Sequence, residues 1–450
     1  VDVSGKRMMV VGLGRSGLSA ARLLSERGAR VIVNDSRDAL ALGQAAAEAR
    51  QLGAELVLDG HPAAAFESVD GIVVSPGVPD LEPLRSAEAR GVPVVSEIEL
   101  ASWYVQAPII AITGTNGKST VTSLIGEMCA RLDRPVFVGG NLGRPMIEAV
   151  GTEADGKDGL LVVELSSFQL ERVQSFRAHI AILLNVSADH LDRYDSFEDY
   201  AQAKARIFER QTVEDFALLP AEEPSLRSLQ RGRGQLSFFG GETGQVRVEG
   251  QELVDSESSL RVPLAALKLR GTHNISNACA AAQAARLAGV SAQAIADVLA
   301  TFEGLAHRMQ YVLVREGVEY IDDSKATNVG AAVASIDGLG DSTGRVVLIA
   351  GGVDKGGSYQ ALRERMDARG RALVLLGEAS SIIEQAFEGS ALPVRRARSM
   401  QDAVGQAASL AQPRDTVLLA PACSSFDMFG SYAERGDCFQ DAVRALGGQR

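Results

Sequence analysis

The sequence predicts an α/β protein of three domains, each built on a mostly parallel sheet. Short apolar runs ending in Gly, Ser or Asp alternate with helical stretches along the chain, the pattern of parallel strands joined by crossover helices. Two of these runs break into glycine-rich turns that open a helix. The 450 residues suffice for about three cores of ordinary size. The expected domains span residues 1–104, 105–306 and 307–450.

The first unit opens with a strand over 7–11, the turn Gly12-Leu13-Gly14-Arg15-Ser16-Gly17 and a helix over 18–27. A second strand over 30–34 ends at Asp35, and apolar runs follow at 55–58, 71–74 and 92–95. Glycines at 12, 14 and 17 with an acid closing the next strand form the G-x-G-x-x-G fingerprint, which seats a diphosphate on a helix N-terminus. By itself the fingerprint fits a nucleotide-diphosphate substrate, a redox cofactor such as NAD or FAD, or a tight strand-to-helix turn. A phosphate loop in the next unit favours the first, because dehydrogenases rarely carry an ATPase module of their own.

That loop is Gly114-Thr115-Asn116-Gly117-Lys118-Ser119-Thr120, after the apolar run 107–113. Its glycines let backbone N–H groups converge on an anion, and the following helix presents its positive end. Lys118 adds a cation for the outer phosphates, and the Ser119 or Thr120 hydroxyl can ligate Mg²⁺. Ile112 stands where the usual loop has its first glycine, so the motif is abbreviated. The chain is expected to bind a nucleoside triphosphate.

Strands over 159–164 and 178–185 follow, the first closed by Glu164 and the second leading to His190. A carboxylate at a strand end beside a phosphate loop can hold the nucleotide's metal or cap a helix. His190 can ligate a metal, position a phosphate or water, or serve structure. His179 is expected in a strand and in the core, and His61 in a loop. Lys204 lies in an amphipathic helical stretch over 200–208 and on that ground reads as a solvated lysine. The polar, glycine-rich interval 232–259 predicts a short antiparallel section, and helices are expected over 274–287 and 292–302.

The third unit has strands over 318–321, 345–350, 371–376 and 415–420. Three of them run into polar loops: Asp322-Asp323-Ser324-Lys325-Ala326-Thr327-Asn328, Gly351-Gly352-Val353-Asp354-Lys355-Gly356-Gly357 and Pro421-Ala422-Cys423-Ser424-Ser425-Phe426-Asp427. Loops at the carboxyl ends of parallel strands are where such sheets bind ligands. A solvated loop rich in capping residues is the alternative for the first.

Composition removes other classes. A net charge of −12 with no basic stretch argues against a nucleic-acid partner. Four scattered cysteines without a C-x-x-C pair point to reduced thiols in a cytoplasmic enzyme. No apolar segment is long enough to span a bilayer, and the first residues lack signal-peptide character. Neither internal repeats nor low-complexity tracts occur. A soluble, cytoplasmic enzyme without membrane insertion is expected.

In this order the motifs resemble the Mur ligase family, ATP-dependent amide-forming enzymes that build the peptidoglycan stem peptide. The shortened phosphate loop is shared with folylpolyglutamate synthase. Glu164-Leu165-Ser166-Ser167-Phe168-Gln169-Leu170, Asp323-Ser324-Lys325-Ala326-Thr327-Asn328 and the Pro421–Asp427 stretch narrow the resemblance to the branch that adds D-glutamate. The resemblance covers the whole chain. It implies a Rossmann-like N-terminal domain taking a UDP-sugar rather than NAD or FAD, a central P-loop ATPase domain and a Rossmann-like C-terminal domain.

The implied substrates are UDP-N-acetylmuramoyl-L-alanine, D-glutamate and ATP, with two Mg²⁺ ions. The L-alanine carboxylate would attack the γ-phosphate, and the D-glutamate amine would then attack the acyl phosphate. Lys118, His190 and Lys204 would carry catalysis. ATP would be held by Gly114, Thr115, Asn116, Gly117, Lys118, Ser119 and Thr120, with Asn141, Asn274, His307, Arg308, Asp323 and Lys325. Metal ligands would be Ser119, Thr120, Glu164, His190 and Lys204, the last as a carbamate, which replaces the solvated reading. Gly14, Arg15, Ser16, Asp35, Ser36, Arg37, Ser75, Asn141, Ser166 and His190 would receive the UDP-sugar. Lys355, Thr327, Ser425 and Phe426 would receive D-glutamate. A monomer is expected. The rivals are a sister ligase with another amino-acid substrate, including the folylpolyglutamate type, and an NAD-binding redox sensor built on the first fingerprint.

Overall fold

The chain builds three sheets in sequence order. The computed structural model describes residues 1–187, 193–269, 271–339, 344–354 and 358–446; His190 and Lys355 lie outside them.

The first sheet contains β1 (Arg7–Val11), β2 (Arg30–Asn34), β3 (Glu55–Val57), β4 (Gly71–Val74) and β5 (Val94–Ser96), in the order β3-β2-β1-β4-β5. All its pairings are parallel. Helices cover both faces, so the central strands bury nearly every residue and read as continuous apolar runs. The first helix is Arg15–Glu26 and begins inside the glycine turn, ahead of the expected residue 18. Gly14 adopts extended backbone as its N-cap, and the Leu18 N–H closes the first turn on the Gly14 carbonyl at 2.9 Å. Hydrophobic periodicity starts later than the helix because residues 15–17 are Arg, Ser and Gly.

The second sheet has nine strands: β6 (Ile109–Thr113), β7 (Val136–Gly140), β8 (Leu160–Glu164), β9 (Ile180–Leu183), β10 (Phe216–Pro220), β11 (Gln235–Phe239), β12 (Val246–Glu249), β13 (Glu252–Asp255) and β14 (Arg261–Pro263). Their order is β14-β13-β12-β11-β10-β9-β6-β8-β7. The β12–β13 pairing supplies the antiparallel section expected within 232–259 and β14 extends it beyond that interval, while β11, inside it, runs parallel to β10. β6 lies between β8 and β9, so the phosphate loop emerges beside Glu164 and Asn185. His179 departs from expectation. It precedes β9, its side chain is 40% exposed, and Nδ1 lies 3.1 Å from Asp215.

The third sheet comprises β15 (Gln310–Arg315), β16 (Val318–Asp322), β17 (Val346–Ala350), β18 (Gly370–Leu375), β19 (Val394–Arg396) and β20 (Thr416–Leu419), in the order β15-β16-β20-β17-β18-β19. Among the described residues of this sheet only β15 is antiparallel to its neighbouring strand. Because β16, β20 and β17 are adjacent and parallel, the loops that leave their carboxyl ends share one edge.

The first two units are joined by two carboxylates on the helix Glu97–Ser102. Glu99 accepts backbone N–H groups from Gln174, Ser175 and Phe176 at 2.8–3.0 Å, together with the Trp103 indole and the Ser175 hydroxyl. Burial opposes its ionisation, but those donors outweigh it and hold the carboxyl below its usual range. Among the described residues Glu97 accepts one bond, from the Ile147 N–H at 2.7 Å, and its second oxygen is buried without a partner. Burial therefore pushes Glu97 up to about 7.

A carboxyl that titrates higher in the fold than in the unfolded chain makes the fold bind the extra proton. Stability then falls as pH rises from its ordinary 4.5 to about 7. Glu97→Gln keeps the acceptor for Ile147 and stays neutral. It should match the wild type near pH 4.5 and exceed it by about 2–3 kcal/mol at pH 8, read from urea midpoints. A stability difference independent of pH would show that Glu97 is ionised in the fold.

Candidate active site

The loop after β6 is held open by its neighbours. Gly117 lies at φ +84° as the N-cap of the helix Lys118–Cys129, and a Cβ there would sit 2.4 Å from Asn277 Oδ1. The Thr115 N–H donates to the Asn185 carbonyl at 3.1 Å, and the Asn116 N–H donates to Asn185 Oδ1 at 2.9 Å. Thr115 Oγ1 meets the Tyr200 hydroxyl at 3.2 Å and accepts from the Ser187 N–H at 3.0 Å. Lys118 Nζ donates to the Gly114 and Thr115 carbonyls at 2.9 and 2.8 Å.

Lys204 corrects the expectation drawn from its amphipathic stretch. It is 2% exposed, its Nζ donates to the same Gly114 carbonyl at 2.9 Å, and it stands 4.4 Å from the Tyr200 ring centroid. Glu164 is also 2% exposed, which excludes a solvent-facing cap. Its Oε1 accepts from Asn141 Nδ2 at 2.8 Å, and its Oε2 is buried without a partner among the described residues. A buried carboxylate oxygen beside a phosphate loop, with the hydroxyls of Ser119 and Thr120 nearby in sequence, is a hard-oxygen set that fits Mg²⁺. Among the described residues no group of three His, Cys, Asp or Glu side chains could hold a metal. Mg²⁺ at a nucleotide needs none, being held by one or two carboxylates and the phosphates.

A cleft of about 480 Å³ opens where the first and second units meet. Gly14, Arg15, Ser16, Asp35, Ser36, Arg37, Ser75 and Asn141 line it, eight of the ten residues expected at the UDP-sugar. It sits at the carboxyl ends of β1 and β4, where strand order reverses, the place where such sheets bind ligands. The N–H groups of Arg15, Ser16 and Gly17 open the helix there, an anion-binding end. Asp35 is not open to a ribose. Its oxygens accept from the Leu13 N–H at 2.7 Å and from Arg37 through N, Nε and one terminal nitrogen at 2.8–3.0 Å. Burial opposes its ionisation, yet Arg37 and Leu13 hold it down at about 2. Arg15 reaches across the cleft mouth to Glu148 at 3.1 Å and to the Gly143 carbonyl at 3.2 Å.

Ser166 is the N-cap of the helix Ser167–Leu170 in a capping box with Gln169. Gln169, not Ser166, borders the cleft, and the three-residue spacing of that box was the available signal.

A second, smaller hollow brings Asn116, Gly117, Thr120 and Asn274 against Arg308, Asp323 and Lys325 of the third unit. His273 and Asn277 also line it and were not anticipated. Asn277 lies one helical turn from Asn274, so a polar pair at i, i+3 in an otherwise alanine-rich helix was the signal. Arg308 crosses the junction to donate to Ser119 Oγ at 2.7 Å. Asp323 accepts from the Ser335 hydroxyl, and burial pushes its carboxyl up to about 6. His307 Nδ1 lies 2.7 Å from Asp322.

The three loops of the third sheet converge on Arg435, which is 2% exposed. Its guanidinium donates to the Ser324 hydroxyl and carbonyl at 3.0 and 2.8 Å, and to the carbonyls of Gly351, Cys423 and Ser424 at 3.2–3.4 Å. Val353 and Ser424 exchange backbone bonds at 2.9 and 3.1 Å, tying two of those loops together. Ser425 is buried, Thr327 is half-buried, and Phe426 is 75% exposed. Lys325 Nζ stands 4.1 Å from the Tyr432 ring centroid.

Comparison with known proteins agrees with this arrangement. The model for the Mur ligase MurD-like N-terminal domain matches residues 6–96, that for the Mur ligase middle domain 112–285, and that for the Mur ligase glutamate ligase domain 307–423. The chain is 43% identical to the UDP-N-acetylmuramoylalanine–D-glutamate ligase of Geotalea daltonii, over 100% of this chain and 99% of that protein. It is 44% identical to that of Geobacter metallireducens, over 99% of each. Among solved structures, Thermotoga maritima UDP-N-acetylmuramate–alanine ligase MurC superposes with a TM-score of 0.60 at 18% identity, covering 98% of this chain and 100% of that one. Thermotoga maritima MurF ligase in complex with ADP gives 0.60 at 16% identity, covering 99% and 96%. These last two likenesses are of fold. Matched by family models through all three sheets and aligned end to end with curated D-glutamate ligases, the chain belongs to the Mur ligase family.

Proposed function

We propose that this enzyme joins D-glutamate to the L-alanine carboxylate of UDP-N-acetylmuramoyl-L-alanine, with ATP converted to ADP and phosphate, as a step of peptidoglycan precursor synthesis in the cytoplasm. One observation carries the reading at the level of the site. Asn141 lines the cleft of the first unit and donates to Glu164 beside the phosphate loop, so a substrate in that cleft ends next to the nucleotide. Residues 1–104 would receive the UDP-sugar, 105–306 the ATP and 307–450 the amino acid. One chain supplies all three groups of residues, which is consistent with action as a monomer.

In this reading the loop N–H groups and Lys118 gather the β- and γ-phosphates, Lys118 turning away from the Gly114 and Thr115 carbonyls it now holds. Ser119, Thr120, Glu164, His190 and carbamylated Lys204 would hold two Mg²⁺ ions, which when bound neutralise charge on the phosphates. Asn274, His307, Arg308, Asp323 and Lys325 would close on the nucleotide from the third unit. The substrate carboxylate attacks the γ-phosphorus, giving an acyl phosphate and ADP. Lys355, Thr327, Ser425 and Phe426 would orient D-glutamate, whose amine attacks the acyl carbon and expels phosphate. Closure of the third unit would exclude water, which would otherwise hydrolyse the acyl phosphate.

Phosphate release from ATP with UDP-N-acetylmuramoyl-L-alanine should require D-glutamate and should not respond to L-glutamate, meso-diaminopimelate or L-lysine. Release with a diamino acid but not with D-glutamate would assign the chain to a sister branch of the family. Lys118→Ala should lower turnover by about 100- to 1000-fold while the circular dichroism spectrum stays unchanged. Turnover near the wild-type rate would remove the lysine from phosphoryl transfer.

Lys204→Ala should lose most activity, and formate or acetate should restore part of it by filling the vacated space with a carboxylate. Lys204→Arg should stay inactive, because its cation fills the site. A Lys204→Ala enzyme with full activity, or one that small carboxylates never revive, would show that the residue serves as a lysine or not at all.

A further inference from the structure

His61 lines the same cleft as Asp35, Ser36 and Arg37, and its protonation pattern follows from its neighbour. Asn34 is fully buried at the end of β2, and its amide nitrogen donates to the carbonyls of Val57 and Gly60, both at 2.8 Å. Carbonyl oxygens only accept, so the Asn34 NH₂ must face them and Oδ1 must face His61. Oδ1 lies 2.6 Å from His61 Nδ1. An amide oxygen cannot donate, so the proton between them belongs to Nδ1. The neutral ring is thereby left with Nε2 as an acceptor. Nε2 has no hydrogen-bond partner among the described residues, and it is not sealed from solvent as the orphaned buried atoms are.

The acid expected to accept from a nucleoside here is already occupied, since Asp35 is filled by Leu13 and Arg37. The diphosphate end of a ligand belongs at the N-terminus of Arg15–Glu26. The nucleoside then extends over the carboxyl end of β2, where Asn34 and His61 stand. We infer that His61 Nε2 accepts a hydrogen bond from the uridine of the substrate, from the uracil N3–H or a ribose hydroxyl, and so helps select the nucleotide. The inference rests on the proposal that this cleft takes a UDP-sugar. It also explains why so polar a side chain as Asn34 is buried at a strand end: the amide fixes the orientation and the tautomer of the histidine ring.

The test combines a variant with substrate analogues. His61→Ala should raise KM for UDP-N-acetylmuramoyl-L-alanine by about fivefold to tenfold. Its kcat and its KM for ATP and D-glutamate should stay within about twofold, since the bond is made equally in ground and transition states. In the wild type, one analogue among the N3-methyluracil, 2′-deoxy and 3′-deoxy forms should show a similar rise, and that same analogue should show no further rise in His61→Ala. Its identity tells whether the base or the sugar donates. An unchanged KM in a folded His61→Ala enzyme, or equal losses for every analogue in both enzymes, overturns the inference. So does a wild type indifferent to all three analogues, a result that does not depend on the variant folding. A wild type that fails to use the UDP-sugar at all overturns the reading of the cleft, and this inference with it.

Discussion

Two lysine side chains meet at one carbonyl oxygen, that of Gly114, and the rest of the site is arranged around that meeting. Lys118 approaches from the helix that follows the loop, and Lys204, ninety positions from Gly114, from a later helix. Two ammonium groups sharing an acceptor repel each other, and the repulsion is relieved when negative charge arrives between them or forms on one of them. In the proposed state that negative charge comes from the phosphates of a nucleotide and from a carbamate on Lys204. Burial sharpens the demand, because Lys204 has little water to screen it.

The third unit solves a similar problem with the opposite economy. Arg435 is a buried cation that takes its partners from backbone carbonyls and a serine hydroxyl rather than from a paired carboxylate. Burial draws its guanidinium down to about 10, which still leaves it charged at neutral pH. By binding the ends of three strands at once, one side chain fixes the relative height of three loops whose spacing a small amino acid would have to sense. Removing it would strand several carbonyls in the interior, each with its own desolvation cost.

Much of this was legible in the sequence, and what was not has a common cause. β1, β2 and β4 begin and end where expected, because each is centred on a buried apolar run that a glycine or a polar residue closes off, Arg7 at the start of β1 and Arg30 and Asn34 at the ends of β2. The phosphate loop and Glu164 were legible because strand, turn and acid are local signals. Lys204 was not readable from its own stretch: amphipathicity marks a buried face but does not reveal that the polar side packs beneath a loop from elsewhere in the chain. The strands β7 and β10 escaped because their last residues read as a turn, Gly139-Gly140 in one and Pro220 in the other. His61 read correctly as a loop residue, but its worth depends on Asn34, twenty-seven positions away, and no spacing rule links the two. Asn277 and Gln169 were within reach, each three positions from a residue already singled out.

Arg308 reaches from the third unit to the Ser119 hydroxyl, 2.7 Å away. If that hydroxyl ligates the nucleotide's metal as proposed, the guanidinium and a divalent cation compete for one oxygen and repel each other. The chain as seen here is then self-bridged, and only the fraction of molecules in which the bridge has let go can accept the nucleotide. Observed affinity for ATP would be the intrinsic affinity scaled by that fraction.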